Sequence, residues 1–540
     1  MPADGDLLPA AEVRNLRDLL LLREAEQPDD VCLVFESAGG QLSELTYAQL
    51  AAGVRRVAAG LAGLGVRKGD AVVVHLPNRS EFMLTWFGLA WIGGIMVPSN
   101  LANTERELAH LFRLADATGF VTEPGHLDPF AATLAGVDRE VFGVVTGKEV
   151  PASPLACRLP LVPFAELSAC DATPPQVDIE ETDVCEFLFT SGTTSAPKAV
   201  MITHANCLRA GVRKVMSCLF GRDDRFLTAL PAFHANAQAT SIMVALVAGA
   251  TCILVEGYSA SRFWQQIRAH RATCTSLVAM QVRTLLAQPP DPGDADHCLR
   301  CNFYAINVLD SEKEEFERRF GLQLMNGWGM SETFCAVTRS PLAGDTRWPS
   351  VGVPLHDRLV RVVDENGDDV PTGTIGEIVV GGIPGISIMK GYFRDPAATA
   401  ATIRNGWLHT GDSGYLDRYG YLYFYDRIKD VIKRAGENVS ALEVESVLLT
   451  HDEVVEAAVF GVPDAIRDEA VKACVVLAAG SVLSADDLRA YCRGHLAGFK
   501  VPSIIDIRDS LPKTSIGKVE KRTLRQEEPG AQPAPRQEEG

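Results

Sequence analysis

Residues 187–198 read Phe187-Leu-Phe-Thr-Ser-Gly-Thr-Thr-Ser-Ala-Pro-Lys198. A short apolar run, Phe187–Phe189, predicts a strand that opens into a polar loop. Thr190, Ser191, Gly192, Thr193, Thr194, Ser195 and Lys198 supply hydroxyl, amide and ammonium donors in one turn of chain. Such a set can surround phosphate oxygens. The GxxxxGK[ST] spacing of a Walker loop is absent. Taken alone, the segment reads equally well as a solvated Ser/Thr loop.

The flanking chain places this loop in an α/β pattern. Leu50, Val54, Val57, Leu61 and Leu64 recur at spacings of three and four after Thr46, with Gly65 as a stop. Ala71–Leu76 reads as a buried strand, a helical segment runs to Trp91, and Ile95–Val97 reads as the next strand. Thr251–Val255 and Ser261–His270 repeat the alternation downstream. The pattern implies sheets with helices on their faces. From Arg358 to Val380, short strands alternate with turns such as Asp364-Glu-Asn-Gly367 and predict a mainly β region. Ala457–Gly461 and Ala473–Leu477 are strand-like, and residues 526–540 read as a disordered tail.

The chain has 540 residues, 47% hydrophobic and 22% charged, so it predicts a globular protein of several subdomains. Its 51 basic and 69 acidic residues leave a net charge of −18, a poor match for nucleic acid or anionic lipid. The 13 cysteines show no repeating spacing and read as reduced thiols in the cytoplasm. Cys298 and Cys301 form a CxxC without the second pair a zinc site needs. No signal peptide is read at the start. The apolar stretches Phe82–Val97 and Thr240–Val255 are too short to span a membrane.

Three further segments carry polar chemistry. In Asn326-Gly-Trp-Gly-Met-Ser-Glu332, a Trp between glycines lets backbone approach a flat ligand, and Glu332 is of a type that holds Mg²⁺. The plain alternative is a turn with a core Trp. Gly406-Trp-Leu-His-Thr-Gly-Asp412 is followed by Asp426-Arg-Ile-Lys-Asp430; Asp412 can accept hydrogen bonds from both hydroxyls of a ribose, and a surface turn with a charged solvated segment is the plain alternative. Leu511-Pro-Lys-Thr-Ser-Ile-Gly-Lys518 presents a lysine near the chain end, taken alone no more than a surface lysine.

In order, wording and spacing, these segments resemble the adenylate-forming superfamily, which includes acyl- and aryl-CoA synthetases. The likeness runs from about Leu45 to Arg525. Ser195, Arg347-Trp-Pro-Ser-Val-Gly352, Lys433-Arg-Ala-Gly-Glu-Asn-Val-Ser440 and Ile466-Arg-Asp-Glu469 are most similar to the crotonobetaine/carnitine-CoA ligase branch.

The resemblance implies an α/β and α+β protein. Its N-terminal domain, residues 1–428, would combine layered α/β subdomains with a β-barrel-like subdomain. A small mobile α+β domain, 429–525, would follow, hinged at Lys429. It implies that a carboxylic acid is joined to AMP with release of pyrophosphate, then passed to coenzyme A. ATP, Mg²⁺ and CoA are the implied cofactors and cosubstrates. Thr190–Lys198 would wrap the ATP phosphates. Trp328 would stand beside the adenine, with Asn326 and Gly327 also binding the cofactor, Ser331 at the α-phosphate and Glu332 on Mg²⁺. Asp412 and Arg427 would hold the ribose. Lys518 would bridge the carboxylate and the nucleotide during adenylation. Gly436 would let the pantetheine arm pass, and His234 would stand at the mouth of the acyl pocket.

That pocket would be drawn from Ala235–Thr240, Ala305–Leu309 and Gly327–Met330. Ser195 and Ala199 stand where glycines are common, and Ala305–Leu309 departs from the usual loop, so the acid itself is left open. The competing acceptors are a carrier protein or a nonthiol nucleophile. A homodimer is the expected assembly, with neither nucleic acid nor membrane as a partner.

Overall fold

The structure, a computed structural model, describes residues 13–134, 140–153, 155, 158–190, 197–305, 308–428, 430–434, 437–464, 468–513 and 519–528. The chain divides into two compact units. Of the described residues, the first comprises those in 13–190, 197–359 and 380–408, and the second those in 360–379 and 409–528.

Sixteen strands among the described residues build the two large sheets of the first unit. In chain order they are β1 Val31–Glu36, β2 Leu42–Thr46, β3 Ala71–His75, β4 Ile95–Pro98, β5 Ala117–Thr122, β6 Phe142–Val145, β7 Leu161–Pro163 and β8 Val184–Thr190. There follow β9 Lys198–Thr203, β10 Arg225–Thr228, β11 Thr251–Val255, β12 Cys274–Val278, β13 Cys301–Ala305, β14 Leu324–Met330, β15 Cys335–Arg339 and β16 Val353–Pro354. One sheet has the order β7-β6-β5-β3-β4-β8-β9, the other β16-β15-β14-β13-β12-β10-β11-β1-β2. Both are parallel through their middles and end in antiparallel pairs, β8 with β9 and β14 with β15.

Local sequence explains the elements. Thr46 caps the helix Tyr47–Gly63: its hydroxyl accepts from Gln49 N, and the Gln49 side chain accepts from Thr46 N. Leu50, Val54, Val57 and Leu61 are buried on one face of that helix, as the three–four spacing predicts. Val73, Val97, Phe120 and Phe187 share one core beside the first sheet. Leu227, Ile253, Leu277 and Leu324 share another with Phe263, Phe316 and Phe320. Burying each such side chain contributes about 1.5–3 kcal/mol, enough to hold in place the loops at the strand ends. Cys298 is exposed and Cys301 is buried.

Two five-stranded sheets follow in the chain. The first is ordered β17 Leu359–Val363, β18 Gly376–Gly381, β20 Trp407–Leu416, β19 Ile403–Arg404, with β21 Leu422–Arg427 paired to β20. The second contains β22 Ile432–Arg434, β23 Glu437–Val439, β24 Val454–Asp464, β25 Asp468–Leu477 and β26 Ile504–Ile507. Helices Ala441–Leu449 and Ala485–His495 supply Val444, Leu448 and Leu488 to the core of this second sheet. The mixed α/β and α+β fold is the expected one. Residues 526 and 528, expected in a disordered tail, are ordered: Gln526 ends the helix Lys521–Gln526, and Glu528 pairs with Lys472 at 2.6 Å. The rest of that segment, 529–540, lies outside the described residues.

Candidate active site

Thr190 ends β8 and Lys198 begins β9, directly opposite each other in the antiparallel register. The turn between them, Ser191, Gly192, Thr193, Thr194 and Ser195, lies outside the described residues. β9 is held on its other side by the return segment 385–393. Met201 N donates to Gly391 O, Lys390 N to Met201 O, and Phe393 N to Ala199 O, at 2.9 Å each. At the end of β9, Thr203 caps the helix His204–Cys218 and donates through Oγ1 to Gly385 O. Asn206 Nδ2 donates to the carbonyls of Ile386 and Ile388. The anchored return segment brings Tyr392 to Lys198.

The Lys198 Nζ lies 4.8 Å from the centre of the Tyr392 ring. The Tyr392 hydroxyl donates to Glu332 Oε1 at 2.8 Å. One phenol thus has an ammonium on its face and a carboxylate on its hydroxyl. Burial, together with the Glu332 charge, pushes the phenol above its ordinary range, so it stays a donor. Glu332 is 7% exposed, on the single turn Ser331–Thr333 that follows β14. Its backbone is fixed on both sides. Glu332 O accepts from Met389 N at 2.8 Å, and Thr333 O accepts from the buried Arg358 guanidinium at 2.6 Å.

Asn326 is buried and spends its amide on Ser350 O at 3.2 Å. Gly327 and Trp328 are half-buried. Gly329 serves the sheet rather than a ligand, since a Cβ there would stand 2.4 Å from Cys335 O on the neighbouring strand. Ser331 is half-buried beside Glu332. His234 lies half-buried before the short helix Ala235–Ala237, its ring 4.7 Å from that of Phe233.

In the second unit Asp412 and Arg427 face each other across β20 and β21, with Arg427 Nε 3.5 Å from Asp412 Oδ1. Asp412 is 7% exposed, while the Arg427 side chain stays open to solvent. Asp426 ties this hairpin to the start of the helix Ala441–Leu449, accepting from Ser440 Oγ and Leu442 N at 3.0 and 3.1 Å. Lys429, Gly436 and Lys518 lie outside the described residues.

Sequence reasoning missed three groups. Tyr392 carries no local signal beyond its place in Lys390-Gly-Tyr-Phe. Arg358 reads as an ordinary charge ahead of the β region. Glu186 sits in the middle of β8, fully buried, with Oε1 accepting from Gln238 Nε2 at 2.7 Å and Oε2 without a partner among the described residues. Burial pushes its carboxyl up to about 8, so it is neutral at pH 7. Among the described residues no cluster of three or more His, Cys, Asp or Glu side chains could hold a metal, and no helix is long and apolar enough to cross a membrane.

The profile of the AMP-binding enzyme matches residues 22–393, and that of the AMP-binding enzyme C-terminal domain residues 443–518. The crotonobetaine/carnitine–CoA ligase of Citrobacter koseri is 40% identical over 495 residues, covering 91% of this chain and 95% of the relative. That of Salmonella arizonae is 40% identical over 503 residues, covering 92% and 96%. Among solved structures, ATP-bound MatB from Rhodopseudomonas palustris aligns with a TM-score of 0.83 and 29% identity, covering 95% of this chain and 98% of that one. The o-succinylbenzoate CoA synthetase of Bacillus subtilis, bound to its acyl-adenylate, aligns at 0.80 and 27%, with the same coverage.

Proposed function

Because this chain belongs to the AMP-binding enzyme family and is an AMP-forming acyl-CoA ligase, we propose that its adenylation half-reaction is run from the Lys198–Tyr392–Glu332 arrangement. The chemistry joins two anions, a carboxylate and a triphosphate. Fixed donors at the developing charge lower that barrier. Lys198 and the hydroxyls of residues 190–195 are read as the phosphate donors, with Ser331 at the α-phosphate.

Glu332 fits Mg²⁺, which takes one or two carboxylates together with phosphate oxygens. It is a buried hard-oxygen donor on a pinned backbone. When bound, the ion would neutralise charge on the transferred phosphate. Asp412 and Arg427 are read as the pair that holds the ribose hydroxyls, Trp328 as the residue beside the adenine, and Asn326 and Gly327 as cofactor-binding neighbours. Lys518 is read as the lysine that bridges carboxylate and nucleotide, Lys429 as the hinge of a domain spanning 429–525, and Gly436 as the passage for pantetheine. Excluding water and holding the carboxylate oxygen in line with phosphorus supply the proximity term.

The observation that carries this reading is the 2.8 Å bond between Tyr392 and Glu332 beneath the Lys198 ammonium. The test is mass spectrometry of the enzyme with ATP, Mg²⁺, CoA and a pooled acid library. Acyl-CoA with AMP is the expected product. AMP-linked acids without acyl-CoA would move the acceptor to a carrier protein or a nonthiol nucleophile. Light scattering checks the further reading that it is a homodimer in solution.

A further inference from the structure

Among the described residues, three cations are buried in the first unit without an ion-pair partner, and one of them, Arg358, is spent on the Thr333 and Ser387 carbonyls. Lys214, on the helix His204–Cys218, is 4% exposed, and Arg339, at the end of β15, is 6% exposed. Arg339 gives one Nη to Ser217 O at 2.8 Å, while its Nε and other Nη find no acceptor among the described residues. The Lys214 ammonium lies 3.2 Å over the Phe303 ring, and no oxygen accepts from it among the described residues. The neighbouring carboxylate is already taken, since Asp357 holds Arg213 through two bonds of 2.7 and 2.8 Å. What remains nearby is the Cys218 thiol. Its bond to Cys301, and then the two cations, draw it below the ordinary thiol range. One thiol cannot match both groups, and burial pulls the Lys214 ammonium below its ordinary range, a cost that an anion brought beside it would offset.

Both cations border the segments assigned to the acyl group. Phe303 pairs with Ser276 across β12 and β13, and Ser276 Oγ donates to Asn236 Oδ1 at 3.0 Å, two residues from His234. Arg339 stands opposite Gly327 across β14 and β15. The patch therefore runs from the expected mouth of the pocket to the Gly-Trp-Gly strand.

We propose that the acid this ligase activates carries a second carboxylate at the far end of its acyl chain, held by Lys214 and Arg339. The proposal rests on the acyl-CoA ligase reading. A trimethylammonium acid, such as the names of the curated relatives imply for those proteins, would instead bring a third cation to this patch.

The experiment compares kcat/KM for dicarboxylic acids, monocarboxylic acids of equal length and carnitine. Calorimetry with the matching nonhydrolysable acyl-sulfamoyl adenosines runs beside it. The diacid is expected to be favoured at least about a hundredfold, and Lys214→Met and Arg339→Gln to collapse that diacid-to-monoacid ratio. Equal or better use of the monoacid or of carnitine by the wild type overturns the proposal. So does a ratio that survives the loss of both cations. The wild-type comparison stands even where a variant fails to fold. Tight binding of the neutral-tailed adenosine with no gain from the anionic tail would sink this inference and leave adenylation intact. Binding of neither analogue would sink adenylation with it.

Discussion

The two ends of the candidate site handle charge in opposite ways. At the end assigned to the nucleotide, Tyr392 carries the Lys198 ammonium over its ring and the Glu332 carboxylate on its hydroxyl, and each charge has a protein neighbour in place. At the end we propose for the acyl group, Lys214 and Arg339 are buried beside a ring, a thiol and one carbonyl. The first arrangement is close to neutral and costs little to hold. The second is positive and costs stability until an anion arrives. Local charge balance thus separates a group that rearranges around its ligand from one that waits for it.

The largest effect should come from breaking the balanced end. Glu332→Gln keeps the shape and removes the charge, and pyrophosphate release should fall by about a thousandfold, roughly 4 kcal/mol. A loss below tenfold, with unchanged Mg²⁺ dependence, would remove Glu332 from the metal.

Glu186 sharpens the comparison, because there the protein meets an incompletely partnered carboxyl by keeping it protonated. Its folded value, about 8, lies above the unfolded value near 4.5. The unfolded chain therefore holds fewer protons between those limits. Wild-type stability should fall as pH rises from about 4.5 to 8 and level off above. Glu186→Gln should lack that slope, so the variant gains on the wild type by about 2–3 kcal/mol between pH 6 and pH 9. Urea midpoints at several pH values check it, and parallel pH profiles would show that the carboxyl is ionised in the folded protein.

Lys214→Met tests the waiting end in the absence of substrate. Replacing a buried cation that lacks an acidic partner with an apolar chain of similar length should stabilise the protein by about 1–3 kcal/mol. Destabilisation would mean that the ammonium over Phe303 is a structural contact. The smallest effect is expected from Tyr392→Phe. Losing one hydrogen bond to Glu332 should slow adenylation about three- to tenfold, with a shifted Mg²⁺ requirement, read by pyrophosphate release across a Mg²⁺ titration.

Much of the fold was legible because its signals are local. The spacing of Leu50, Val54, Val57 and Leu61 and the cap at Thr46 specify one helix without distant information. The apolar run before Thr190 likewise foretells β8. The site was legible where motif wording carried it and opaque where it depends on packing. Lys214 shares its helix with Arg209 and Arg213 and reads as part of a solvated face, yet the sheet covers it. Glu186 reads as one polar residue in a strand. Gly329 suggested room for a ligand, whereas its missing Cβ makes room for Cys335 O. In each case tertiary contact decides, and composition holds no trace of it.

The return segment 385–393 has a consequence for synthesis of the chain. β9 and the cap of its helix depend on carbonyls and amides that leave the ribosome long after they do: Gly385, Ile386, Ile388 and Gly391. Until those residues emerge, the Asn206 amide and one edge of β9 have only water as a partner. The stretch bearing Lys198 is therefore early in translation but late to settle, and nascent chains released before residue 393 expose an open strand edge.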